Sequence, residues 1–131
     1  MKKHAVSAII HYHGKILIGK KRSDSPKFLA GKWHIPGETV KEKESDFEAL
    51  IRGVGEELSL KISVERYLCS SISPTSKSEV RWYECFSNTD RIFPSSDLED
   101  AKWIYKKEIK NYLDEETLKL WPKEIFDYFK I

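Results

Sequence analysis

Residues 31–60 read GKWHIPGETVKEKESDFEALIRGVGEELSL, and this stretch decides the fold. It parses as strand, glycine turn, polar loop and helix. Ser45 followed by Glu48 is a capping-box pattern, which starts the helix near Ser45. Phe47, Leu50, Ile51, Val54 and Leu58 then recur at helical spacing. At about 100° per residue they share one arc roughly 100° wide, and that arc is expected to be buried. Arg52 and Glu56 fall on the opposite face, and Glu57 falls at its edge. Adjacent residues differ by about 100° around the axis, so Glu56 and Glu57 can flank one point in space. Two carboxylates beside one point suit a hard cation such as Mg2+, with Mn2+ as a substitute, because such ions prefer oxygen ligands. Without a cation, repulsion raises at least one of the two pKa values. The plainer reading is the solvated face of an amphipathic helix.

The neighbouring residues favour the cation. The segment resembles the signature of the Nudix hydrolases, G-x5-E-x7-R-E-U-x-E-E-x-G-U, where U is a bulky aliphatic residue. Glu44, Arg52, Val54, Glu56, Glu57 and Leu60 all stand in register with it. The approach Gly31-x-Trp33-x-x-Pro36-Gly37 is also similar to that family's. The chain departs from the signature at three positions. Glu38 stands on the first glycine, Gly53 on the glutamate after the arginine, and Ser59 on the late glycine. On the helical wheel position 53 lies between Glu56 and Glu57, so a carboxylate is missing from the middle of the expected site. In the family that glutamate is commonly a metal ligand or the base that activates water. Glu38 or Glu42 is the candidate replacement. A glycine at 59 would suit a left-handed helix cap, where serine meets a steric penalty.

The resemblance implies an α/β fold, a Nudix-type α/β/α sandwich with a mixed sheet. It implies Mg2+-dependent hydrolysis of a diphosphate linkage in a nucleoside di- or triphosphate derivative, as in the small MutT-like branch that releases pyrophosphate. It assigns the metal to Glu56, Glu57 and the Gly37 carbonyl, and catalysis to Glu57 and Glu56. It makes Glu44 and Arg52 a structural ion pair tying loop to helix. A late acidic residue before the last strand is expected to reach the metal or its water. Asp97 is the first choice and Glu99 the second, against a reading of simple loop solubility. Gly53 keeps open an alternative: a nucleotide-binding or regulatory module on a Nudix scaffold with weakened water activation.

Composition agrees with one folded unit. A chain of 131 residues with 40% hydrophobic and 12% aromatic content is expected to form a single domain over 1–131. The net charge of +2 gives no support for a general nucleic-acid binder. Cys69 and Cys85 lack CxxC spacing and read as buried free thiols in strands. Lys2 and Lys3 precede an apolar run that His11, Tyr12 and His13 interrupt, too short for a signal peptide. No stretch is long enough to span a membrane, and a cytoplasmic location is expected.

Outward from the central stretch, His4–His13 reads as a strand with Val6, Ala8 and Ile10 in alternation. His13-Gly14 is a turn, and Lys15–Lys20 its hairpin partner. His11 and His13 share a strand face and could hold a metal, although surface histidines beside a turn are commoner. Lys20, Lys21 and Arg22 are either a solvated charge run or a phosphate contact. Arg22 is best suited to the latter, since guanidinium pairs two phosphate oxygens. Ser23–Ala30 is a loop, and Lys32–Ile35 returns to the sheet with Trp33 in the core. Lys61–Ser73 and Glu79–Phe86 form an antiparallel pair whose aromatics are core or base-stacking residues. A polar loop over Asn88–Asp100 leads to a last strand, Ala101–Tyr105. Glu115–Leu120 is a short helical piece. Trp121-Pro122 then opens a final helix with Ile125, Phe126 and Phe129 inward.

Overall fold

The structure, a computed structural model, describes residues 3–131, so the expectation for Lys2 lies outside the described residues. The apolar run near the N-terminus forms β1 (Ala5–Tyr12). Alternation sends Val6, Ala8 and Ile10 to one buried cluster and Ile9 to another, so β1 is buried on both faces. The hairpin partner is β2 (Lys15–Lys21), with Leu17 on the first side and Ile16 and Ile18 on the second. The expected return strand is shorter than its sequence pattern: β3 covers only Trp33–His34. Pro36 interrupts the run, and β4 (Gly37–Thr39) follows. After the helix α1 (Asp46–Leu58) come β5 (Ser63–Ile72), β6 (Glu79–Phe86) and β7 (Leu98–Tyr105). Short helices α2 (Ile109–Tyr112) and α3 (Glu115–Leu118) precede α4 (Lys123–Phe129).

The described strands make a seven-stranded mixed sheet with the path β3-β2-β1-β6-β5. β1 and β6 are parallel over Ala5–His11, and β5 and β6 are antiparallel. β1 and β2 pair only near their turn, at His11↔Ile16 and Tyr12↔Lys15. Beyond that point they part. β1 takes β4 as its neighbour, while β2 takes β3 and β7. The segment from β3 to β4 therefore crosses the opening between them, pinned where Ala8 N donates to the Pro36 carbonyl at 2.8 Å.

One side of the sheet packs on α1 through Ala49, Leu50, Val54 and Leu58. The other packs on the C-terminal helices through Ile109, Leu113, Trp121, Ile125 and Phe129. This is the α/β/α sandwich expected of mixed strands with one central helix and one terminal helix. Trp33 is half-buried against the second cluster rather than deep in the core. Cys69 and Cys85 are buried free thiols, as expected. His13 sits in the turn with φ 47°, and His11 turns its ring to Tyr128, so the two do not form a pair of ligands. No helix among the described residues is long and apolar enough to cross a membrane.

The structure corrects the expected inner face of α1. Phe47 and Ile51 are each 51% exposed. The buried arc is instead Ala49, Leu50, Gly53, Val54 and Leu58. It is rotated toward positions 49 and 53 because β4 packs against that side of the helix. Position 53, and Glu57 one turn later, thus face inward.

Candidate active site

The opening between β1 and β2 is a cleft of about 580 Å³. Gly37, Glu38, Arg52, Glu56, Glu57 and Asp97 line its acidic end. Trp82, Trp121, Leu120 and Ile35 contribute an apolar wall, and Lys21, Lys27 and His34 also face it.

Local forces fix each part. Ser45 caps α1 reciprocally: Glu48 N donates to Ser45 Oγ at 3.1 Å, and Ser45 N donates to Glu48 Oε1 at 2.9 Å. The helix ends at Ser59, held left-handed at φ 53°, ψ 37°. Its last carbonyls would lack partners, and the 93–95 loop supplies them. Phe93 N donates to the Leu58 carbonyl, Ser95 N to that of Glu57, and Ser95 Oγ to that of Glu56. Arg22 N donates to the Asp97 carbonyl at 2.9 Å. The loop is thus clamped between helix end and β2, which brings Asp97 beside Glu57. Gly37 is required at its place because a Cβ there would lie 2.9 Å from the Val6 carbonyl oxygen.

Arg52 is the hub of the acidic end. Its Nε and Nη2 donate to both oxygens of Glu44 at 2.7 and 2.9 Å, and Nη2 also donates to the Thr39 carbonyl. Nη1 lies 3.3 Å from Glu38 Oε2 and 3.7 Å from Glu56 Oε2. The Arg52 hydrogen bonds hold the Glu44 carboxyl down at about 2. Glu57 differs from these acids. Among the described residues it makes no ion pair and no side-chain hydrogen bond. Burial first, then the charges of Glu38 and Asp97, push its carboxyl up to about 7. Lys21 and Lys27 act in the opposite sense but do not offset them.

The site residues expected from sequence fall into two groups. Gly37, Glu56, Glu57 and Asp97 meet at the cleft, with Glu44 and Arg52 behind them. Arg22 and Glu99 do not. Arg22 is turned outward in a bidentate pair with Asp24, at 3.0 and 3.2 Å. Adjacent side chains at a strand end point to opposite sides, so Lys21 takes the cleft instead. Glu99 accepts from Ser23 N and faces Lys20 at 3.3 Å. Sequence reasoning also missed His34. Its Nδ1 is buried without a partner, and burial holds the ring down at about 4, so it is neutral. A lone histidine beside a core tryptophan carries no spacing that would have singled it out.

Among the described residues, no three His, Cys, Asp or Glu side chains are gathered tightly enough to ligate a cation as they stand. Glu38 and Glu56 lean to Arg52 instead. The donor chemistry nevertheless fits one. Carboxylate and carbonyl oxygens are the ligands of a hard divalent ion, and among the described residues Glu57 makes no ion pair, with Lys21 and Lys27 lining the same cleft.

The NUDIX domain family profile matches residues 1–129. A CTP pyrophosphohydrolase of Escherichia coli (strain K12) is 38% identical over 65 residues, which is 50% of this chain and 47% of the relative. The chain thus matches about half the length of that relative. A NUDIX hydrolase from Nitrosomonas europaea superposes with a TM-score of 0.80 at 16% identity, over 98% of this chain and 70% of its own. The MutT protein from Methanosarcina mazei Go1 gives 0.74 at 21% identity, over 97% and 89%. The E. coli ORF135 protein gives 0.67 at 26% identity, over 92% and 89%.

Proposed function

Because the chain belongs to the Nudix family as a MutT-like protein, we propose that it hydrolyses a diphosphate linkage in a nucleoside di- or triphosphate derivative, with Mg2+ or Mn2+ as cofactor. The observation that carries this reading is geometric: Glu56, Glu57, Asp97 and Gly37 line one end of a cleft that also has an aromatic wall. Glu56 and Glu57, with the Gly37 carbonyl, would hold the cation. When bound, it neutralises charge on the phosphate oxygens and lowers the pKa of an attacking water.

The chain's own residues divide the remaining work. Lys21 and Lys27 line the same cleft and receive phosphate oxygens. Trp82 and Trp121 offer apolar faces to a base, and the unpartnered His34 Nδ1 can accept or donate a hydrogen bond at its edge. Asp97 orients the attacking water and takes its proton as oxygen adds to phosphorus and the bridging P–O bond breaks. Glu44 and Arg52 hold the loop and β4 to the helix.

The test is release of phosphate or pyrophosphate from a nucleotide panel with Mg2+ or Mn2+. Turnover is expected, and Glu57→Gln is expected to lower it by about 10²-fold or more. Tight nucleotide binding without turnover would instead support a non-catalytic module, the alternative that Gly53 keeps open.

A further inference from the structure

Glu38 and Gly53 are exchanged relative to the family signature. Where the signature has glycine this chain has glutamate, and where it has glutamate this chain has glycine. The two departures meet in space. A Cβ built on Gly53 would lie 2.8 Å from Glu38 Cβ, 2.9 Å from its Cγ and 2.9 Å from its Oε2. The collision involves the root of the Glu38 side chain, not only its flexible end. Rotating the carboxylate away would not relieve it. Nor can the β4 backbone retreat readily, since Gly37 is pressed against the Val6 carbonyl and Glu38 is paired with Val6. One glutamate fits here, from the strand or from the helix, but not both.

We propose that Glu38 supplies from β4 the carboxylate that the signature carries on the helix at position 53, so that the chain's cation is held by Glu38 together with Glu56 and Glu57. This deepens the reading given under Proposed function and rests on it. Two features support it. Glu38 lines the cleft beside Glu56 and Glu57. Its Oε2 stands 3.3 Å from Arg52 Nη1, the same guanidinium that faces Glu56. The missing carboxylate is therefore relocated rather than lost.

The experiment is Mn2+ titration, followed by paramagnetic resonance, of the full chain and of Glu38→Gln, Glu57→Gln and the double exchange Glu38→Gly with Gly53→Glu. Thermal unfolding in chelator is measured in parallel, with Gly53→Glu alone added. Glu38→Gln is expected to weaken Mn2+ binding by about tenfold or more, and the double exchange to restore most of it. In chelator, Gly53→Glu alone is expected to unfold at lower temperature, and adding Glu38→Gly to relieve the loss. The proposal is overturned if Glu38→Gln binds Mn2+ like the parent while Glu57→Gln does not. It is equally overturned if the double exchange binds no better than Glu38→Gln. A parent protein that binds no Mn2+ and turns over no nucleotide would instead remove the hydrolase reading itself.

Discussion

Glu57 sits where burial strips water from its carboxylate and two acids repel it, and its stability signature has a defined sign. Its folded pKa of about 7 lies above the ordinary 4.5, so the folded state binds the proton more tightly. Stability is therefore lost as pH rises from about 4.5 to about 7, and the loss is constant above that. Glu57→Gln should match the parent near pH 4. Above pH 7, in chelator, it should be more stable by on the order of 1–2 kcal/mol, allowing for partial solvent exposure. Denaturant unfolding at several pH values checks this, and a parallel pair of pH curves would refute it. His34 works in the opposite direction. Its ring is depressed to about 4, so its contribution is complete above pH 6.5 and is lost as pH falls through 4. The two dependences oppose each other between about pH 4.5 and 6.5. That window should be flatter in the parent than in Glu57→Gln.

The helix α1 contains two residues that work against its own stability, each with an external cause. Gly53 is buried in its middle, where glycine costs about 0.5–1 kcal/mol relative to alanine. It is kept there because the Glu38 side chain fills the space. Ser59 ends the helix in a left-handed conformation that crowds its Cβ. Ser59→Gly should remove that crowding, adding about 1 kcal/mol and raising the melting temperature by roughly 4 °C. An unchanged or lowered melting temperature would show that Ser59 contributes something the backbone angle does not reveal. The capping box and the apolar run make this helix readable from sequence. Its rotation was not readable, because Phe47 and Ile51 satisfy the helical period as well as Leu50 does. Only the position of β4 decides which side is covered.

At the scale of the molecule, the cleft exists because β1 and β2 part after their turn and the β3–β4 segment crosses the opening. A ligand there touches both halves of the sheet, the end of α1 and the 95–97 loop, and so should stabilise the whole chain by linkage. Mg2+ with a non-hydrolysable nucleotide at about a hundredfold above its dissociation constant should add about 2.7 kcal/mol. The melting temperature should rise more with both than with either alone. No shift with both together would count against the cleft as the nucleotide site.

The sequence by itself determined the elements and the register of the acids. The Ser45–Glu48 cap, the alternation in β1 and the spacing of Glu44, Arg52, Glu56 and Glu57 are local properties, fixed by backbone geometry within a few residues. Tertiary structure decided which of the charged residues share one space. Arg22 and Lys21 are neighbours in sequence, yet only Lys21 reaches the cleft. Glu38 and Gly53 are fifteen positions apart in the chain, yet they exclude one another within 3 Å. Such choices depend on how the strand and helix pack, and packing is set by contacts between distant segments that no local pattern encodes.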